Sequence, residues 1–337
     1  MRIDTALTRL IGTDLPIVQA GMSWVSSCAE LPLAVSNAGG LGVIAAGPMR
    51  LPDLDECLTR IQAGTNRPWA VNMPLYRKGA EETIAHLIDH APPVIIASQG
   101  GPKKHLGAFH EVGTIWLHVV TSLTHAAKAV EAGVDGLVVV GAEAGGHPPE
   151  HGVTSLVLTR LIAREFPEIP VVASGGFADG HALAAALSLG AAGAQFGTRF
   201  IATTEANVHS AYQDMVLVAE AEDAVLVGRE LNPIRTLRNQ FTEEMLDLEY
   251  AGAPVGDRRE VFASKVLRQS AKDGEVETGK VEAGQTAGLV SERLPAAEVV
   301  RRIATEYCAV VDRLPRAAGG DGILRQTQTD APVAVAG

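Results

Sequence analysis

Eight short apolar runs recur along the first 200 residues, with amphipathic segments between them, and no other feature of this 337-residue chain restricts its fold so tightly. The runs occupy 16–19, 42–45, 69–72, 94–98, 114–120, 136–140, 170–173 and 194–196. Most are continuous rather than alternating, the pattern of strands covered on both faces. Helical patterns lie between several of them, at 121–132, 154–165 and 179–189. Thr, Ser or Asp stands where these begin, and Gly133 and Gly190 follow two of them, which are ordinary start and stop signals. Strands alternating with helices imply a parallel sheet. Eight such units predict an α/β fold of the closed (β/α)8 type, a TIM barrel, with an open doubly wound sheet as the rival. A barrel would gather all eight strand C-termini at one face.

Those C-termini carry the candidate chemistry. The run 136–140 is followed by Gly141-Ala-Glu-Ala-Gly-Gly-His147. Val171-Val-Ala-Ser-Gly-Gly176 and Gly193-Ala-Gln-Phe-Gly-Thr198 repeat the theme. Glycines let a backbone approach a ligand closely, and a helix N-terminus favours an anion. Ser174, Gly175 and Gly176, with Gly197 and Thr198 after the eighth strand, therefore form a candidate phosphate cradle where barrels of this kind hold one. His147 follows Gly145 and Gly146, and an imidazole there suits general-base work or stabilisation of an anion. His151 is a second candidate, separated from it by Pro148-Pro149. No third ligand with metal spacing accompanies them, so no metal is expected. Asn72, Gln195, Gln19 and Ser98 also end strands, where each suits either a ligand contact or a local cap. Glu143 fits three roles equally: closing a turn, holding a loop through backbone amides, or facing a ligand. Gly40-Leu-Gly42 resembles a dinucleotide fingerprint, but its glycines precede a strand instead of following one, so a tight turn is the better reading.

Hydrophobic residues make up 47% of the chain and aromatics only 4%, so Ala, Val, Leu and Ile must build the core. A net charge of −11 argues against nucleic acid as a partner. No apolar run reaches the roughly 18 residues that would span a bilayer. The start of the chain lacks the apolar stretch of a signal peptide, and a cytoplasmic enzyme is expected. The three cysteines, Cys28, Cys57 and Cys308, are far apart and read as ordinary thiols. Beyond residue 200 the regularity stops. Residues 201–295 read as a mainly helical cap inserted after strand 8, with helices at 205–217, 243–249 and 258–271 and a loop at 274–288. The pattern at 296–314 reads as a helix returning to the barrel. The expected domains are thus a barrel of 1–200 and 296–316, a cap of 201–295 and a flexible tail of 317–337.

Several motifs, in order and at matching intervals over residues 8–245, resemble the nitronate monooxygenases. They are Pro16-Ile-Val-Gln-Ala-Gly-Met22, Ala34-Val-Ser-Asn-Ala-Gly-Gly-Leu-Gly42, Glu143-Ala-Gly-Gly-His147, Ala173-Ser-Gly-Gly176 and Gln195-Phe-Gly-Thr-Arg-Phe200. The resemblance implies an FMN enzyme. The backbone at Ala20, Gly21 and Met22 would border the flavin ring, and Asn72 and Gln195 would bond to it. Ser98, Gly145 and Gly146 would complete the surroundings. Ser174, Gly175, Gly176, Gly197 and Thr198 would hold the phosphate, and His147 matches the active-site histidine. The expected reaction is oxidation of alkyl nitronates by O2 to carbonyl compounds and nitrite. The same motifs occur in flavin-dependent enoyl-acyl-carrier-protein reductases. Asn207-Val-His209 and Ile234-Arg-Thr-Leu-Arg-Asn-Gln-Phe241 resemble their segments after the barrel. In that alternative NAD(P)H reduces the flavin, and an enoyl thioester or a quinone is the acceptor. A homodimer is expected because many barrels of this sort associate.

Overall fold

The computed structural model describes residues 1–315, so the tail expected at 317–337 lies outside the described residues. Eight strands form one parallel sheet: β1 (Ile17–Gln19), β2 (Gly42–Ala45), β3 (Trp69–Pro74), β4 (Val94–Ser98), β5 (Ile115–Val120), β6 (Gly136–Val140), β7 (Val171–Ser174) and β8 (Gly193–Phe196). Their order is β1-β8-β7-β6-β5-β4-β3-β2. The seam between β1 and β2 is joined by a parallel bridge from Val18 to Leu41. There the Leu41 amide donates to the Ile17 carbonyl at 2.8 Å and the Gln19 amide to the Leu41 carbonyl at 3.0 Å. That seam closes the ring, and the open-sheet rival is excluded. Each apolar run coincides with a strand because residues buried on both faces leave an unbroken hydrophobic signature.

The barrel has two cores. Val18, Val43, Ala70, Ile96, Leu117, Val138 and Val172 point inward and form one cluster with Leu7 and Ile11. Those last two come from the short helix Ala6–Ile11, which plugs the N-terminal end of the barrel. Gly193 lies at the start of β8, where a Cβ would come 2.5 Å from the Leu7 side chain. The alternate residues, among them Ile17, Ile44, Val71, Ile95 and Val139, face the surrounding helices. Gly40 and Gly42 are packing glycines. A Cβ on Gly42 would sit 2.0 Å from the Pro32 carbonyl oxygen, so the turn reading holds against the dinucleotide one.

After β8 the chain leaves the barrel and returns near Leu294. The bridge from Thr203 to Leu294 brings the two ends of this excursion together. Helix Ala296–Arg313 then packs beside helix Gly180–Ser188. A Cβ on Gly180 would lie 2.6 Å from the Ile303 carbonyl, and the Gly180 amide donates to Glu306 Oε2 at 3.0 Å. This helix takes the eighth helical position around the barrel.

The excursion differs from its expected form in three ways. It contains an antiparallel hairpin, β9 (Ala224–Val227) with β10 (Ile234–Leu237), in the stretch between two expected helices where no strand was foreseen. Each strand is only four residues long, too short to show a period, and Gly228 at φ +79° turns the chain between them. The pattern read as 205–217 starts late, at helix Ser210–Val218, where the His209 ring accepts from the Ala211 amide. The pattern read as 258–271 is two helices, Val255–Ser264 and Leu267–Asp273, broken at extended Lys265 and Val266. Gln269 Oε1 accepts from the Val266 amide at 2.8 Å and starts the second helix anew. Among the described residues no helix is long and apolar enough to cross a membrane.

Candidate functional site

Ala20, Gly21, Met22, Asn72, Ser98, Gly145, Gly146, His147, Ser174, Gly175, Gly176, Gln195, Gly197 and Thr198 all line one cavity at the C-terminal mouth of the barrel. It holds about 1280 Å³ of space, including its opening to solvent. Each wall follows from the local fold. Gly21 packs the loop after β1 onto Asn72, where a Cβ would be 2.3 Å from Asn72 Cβ. Asn72 Nδ2 donates to the Ile96 carbonyl at 2.9 Å, which holds the amide on the cavity wall. Gln195 Nε2 donates to Ser174 Oγ at 2.9 Å and ties β8 to β7 at their ends. Gly175 and Gly176 adopt φ +90° and +84°, a region that L side chains rarely adopt. Among the described residues, the amides of Gly176 and Phe177 have no hydrogen-bond acceptor within the chain. Two unpaired donors on a glycine turn are what an anionic group needs.

Two strand-end residues have local roles. Gln19 does not line the cavity. Its side chain accepts from the Val43 amide at 2.9 Å and donates back to the Val43 carbonyl at 3.2 Å, strapping β1 to β2. Glu143 lines the cavity, but its carboxylate accepts from the Ser155 amide at 2.9 Å and from Ser155 Oγ at 3.0 Å. It therefore holds its loop to the start of helix Ser155–Glu165, which decides among the three roles left open for it. His151 is exposed and does not line the cavity.

His147 stands exposed at the rim, where it lines the cavity. Partial desolvation by the surrounding walls lowers its pKa below the ordinary 6.5, with the charge of Lys280 acting second in the same direction. The ring is thus neutral at pH 7. Asn232 Nδ2 lies 2.8 Å from His147 Nε2 and donates to it, which puts the ring proton on Nδ1. The loop beneath is clamped by β10. Gly146 and Arg235 exchange backbone hydrogen bonds of 2.7 and 3.0 Å. The Arg235 guanidinium donates to the Ala142 carbonyl at 2.9 and 3.2 Å and to the Ala224 carbonyl at 2.5 Å.

The segment after Gly279 closes the remaining wall. The Gly284 amide donates to Thr198 Oγ1 at 2.9 Å, and the Gln285 amide to the Glu143 carbonyl at 3.0 Å. Glu282 and Tyr212 also line the cavity, and neither was singled out from the sequence. Glu282 sits in a charged stretch that reads as solvated loop. The apolar flanks Val281 and Ala283, both buried, are the signal that could have marked it.

The comparisons agree with this geometry. The family pattern described as nitronate monooxygenase matches residues 4–306. A curated nitronate monooxygenase of Paraburkholderia phytofirmans is 32% identical, with 92% of this chain and 96% of that protein covered. The (3aS,4S,5R,7aS)-5-hydroxy-7a-methyl-1-oxo-octahydro-1H-indene-4-carboxyl-CoA dehydrogenase of Mycobacterium tuberculosis is 36% identical, covering 73% of this chain and 69% of that one. Among solved structures, FabK of Thermotoga maritima superposes with a TM-score of 0.86 at 34% identity, over 93% of this chain and 98% of that one. The barrel, its glycine-lined mouth and these likenesses lead to one conclusion: the chain is an oxidoreductase belonging to the nitronate monooxygenase family.

Proposed function

We propose that the chain is an FMN-dependent nitronate monooxygenase, oxidising alkyl nitronates with O2 to carbonyl compounds and nitrite. The observation that carries this reading is the convergence of His147 and three glycine turns on one cavity. The residues fit FMN. The positive-φ turn at Gly175–Gly176 presents two unpaired amides, and a Cβ on Gly197 would be in ordinary contact with Met22 and Ala20, at 3.6 and 3.8 Å. Ser174, Gly175, Gly176, Gly197 and Thr198 would hold the phosphate. Asn72, Gln195, Ser98 and the backbone of Ala20, Gly21 and Met22 would border the ring, with Gly145 and Gly146 opposite. When bound, FMN supplies the electron-accepting centre of the reaction. The chain's own part is orientation and proton control. His147, neutral at pH 7, donates its Nδ1 proton in a hydrogen bond to an anionic nitronate; to remove the α-proton of a neutral nitroalkane, its Nε2 must first release the hydrogen bond from Asn232. Residues 201–295 act as the cap that shields this step.

A second reading is supported by the relatives. FabK is an enoyl-acyl-carrier-protein reductase, and the 36% identical dehydrogenase is named for an acyl-CoA substrate. On that reading NAD(P)H reduces the flavin, and His147 orients an enoyl thioester or a quinone. An anaerobic experiment separates the two. The purified yellow protein is mixed with propyl-2-nitronate in one cell and with NADH or NADPH in another. Flavin bleaching by nitronate alone supports the monooxygenase. Bleaching by a nicotinamide, with nitronate inert, replaces it with the reductase.

A further inference from the structure

One titratable group of the cavity, Glu282, has no part in the reaction proposed above. Glu282 lines the same cavity as His147. Its backbone is fixed on both sides, since the Tyr212 hydroxyl donates to the Glu282 carbonyl at 2.7 Å and the Leu237 amide to the Val281 carbonyl at 2.9 Å. Glu282 Oε2 lies 3.1 Å from where a Cβ on Gly146 would be, against the backbone that carries His147. Among the described residues no donor hydrogen-bonds to this carboxyl and no cation lies within 4 Å of it. Glu282 is half-buried, and a carboxyl held there without a partner is costlier in its charged form than as a neutral acid.

The surrounding charges leave it so. Lys280 is the nearest cation in sequence, but its ammonium sits 3.6 Å from the centre of the Phe262 ring and acts only at a distance. Arg235, on β10, spends its guanidinium on the Ala142 and Ala224 carbonyls. Glu143 is tied to Ser155, and His147 is neutral. Tyr212, on helix Ser210–Val218, holds its proton, because burial raises its pKa well above the ordinary value. Burial pushes the Glu282 carboxyl up to about 7, with Lys280 offsetting a part.

We propose that Glu282 is a substrate-binding acid of this site: its neutral carboxyl donates a hydrogen bond to a substrate oxygen facing His147, and its ionised form turns anionic substrates away. The inference rests on the reading of the cavity as the catalytic site. It deepens that reading by naming a selectivity. Small planar anions such as nitronates are accepted only while the carboxyl keeps its proton, whereas an uncharged thioester carbonyl loses only one hydrogen bond when the proton leaves.

The test uses the flavin-loaded protein and nitrate, a planar anion that resembles the nitro group and is not turned over. Its dissociation constant is read from the flavin absorbance at pH 6 and pH 8, and the KM for propyl-2-nitronate is measured alongside. With one ionisation near neutrality, nitrate binding weakens about tenfold between these pH values in the wild type. Glu282→Gln keeps a donor but cannot ionise, so its nitrate affinity is flat over that range and stronger than wild type at pH 8. Equal nitrate affinity at pH 6 and pH 8 in the wild type overturns the proposal, whatever the variant does. A pH dependence that persists unchanged in Glu282→Gln also overturns it. If nitronate is not oxidised while the nitrate pattern holds, the monooxygenase reading fails and the assignment of Glu282 stands.

Discussion

The barrel and the excursion that follows it build opposite walls of the same cavity by different means. The barrel wall is made of backbone: glycine turns at the ends of β6, β7 and β8, with positive φ at Gly146, Gly175 and Gly176. The excursion wall is made of side chains. Asn232 bonds the His147 ring, Arg235 braces its loop, and Glu282 faces the space between. On the proposed reading, the repeated architecture would supply a general anion and ring cradle, and the single irregular excursion the groups that tell substrates apart. Relatives named for nitronates and for an acyl-CoA on one fold fit that division.

If the division is right, damage to each wall has its own signature. The largest effect is expected where the walls meet. His147→Ala should keep its flavin and lose about 10²–10⁴-fold in turnover. Steady-state kinetics beside the flavin-to-protein absorbance ratio measure both, and full turnover would remove His147 from the chemistry. Gly175→Val attacks the barrel wall alone. It forces a β-branched residue into φ +90° with its Cβ 3.0 Å from the Gly141 carbonyl. Strain of about 1–3 kcal/mol should weaken FMN binding by roughly 5- to 150-fold, read by titrating apoprotein with FMN. Unchanged affinity would remove the phosphate cradle from this turn.

Arg235→Met attacks the excursion wall. It removes the braces to Ala142 and Ala224 but touches no glycine turn. Turnover should fall roughly tenfold with flavin content intact, the scale of one lost charged hydrogen bond. Loss of flavin instead would show that the two walls are not separable. Asn232→Ala is milder. It removes a donor that favours the neutral imidazole, so the His147 pKa should rise and the acid limb of the pH–rate profile move to higher pH. A profile that stays in place would leave Asn232 with no influence on the ring.

The smallest effect is on stability. Folding holds the Glu282 carboxyl neutral up to about pH 7, against an ordinary value of 4.5. The folded chain binds the extra proton between these values, so this group's contribution to stability falls as pH rises through that window. Glu282→Gln should therefore raise the melting temperature by more at pH 8 than at pH 5. Equal shifts would show a carboxyl that ionises freely.

What could be seen from the sequence divides along the same line. The strands of the barrel repeat a buried pattern, and each glycine turn follows its strand directly, so their meeting at one mouth follows from topology. Glu143 and Gln19 were ambiguous because a strand end offers both ligand and backbone, and only the contacts with Ser155 and Val43 decide. The hairpin of β9 and β10 left no period to read. Glu282 lies among Asp273, Glu275, Glu277 and Lys280, where an enclosed carboxyl cannot be told from a solvated one. Its environment is made by Gly146, more than 100 residues away along the chain.

One bridge, from Thr203 to Leu294, carries a consequence for how such enzymes diversify. The chain departs from the barrel and rejoins it one strand spacing apart, so for the ring of strands those ninety-odd residues count as little more than a turn. Lengthening, shortening or exchanging them leaves the closure of the barrel untouched. Inheritance can therefore treat the excursion as a graft on a fixed rootstock, with new specificities arising by replacement at one junction.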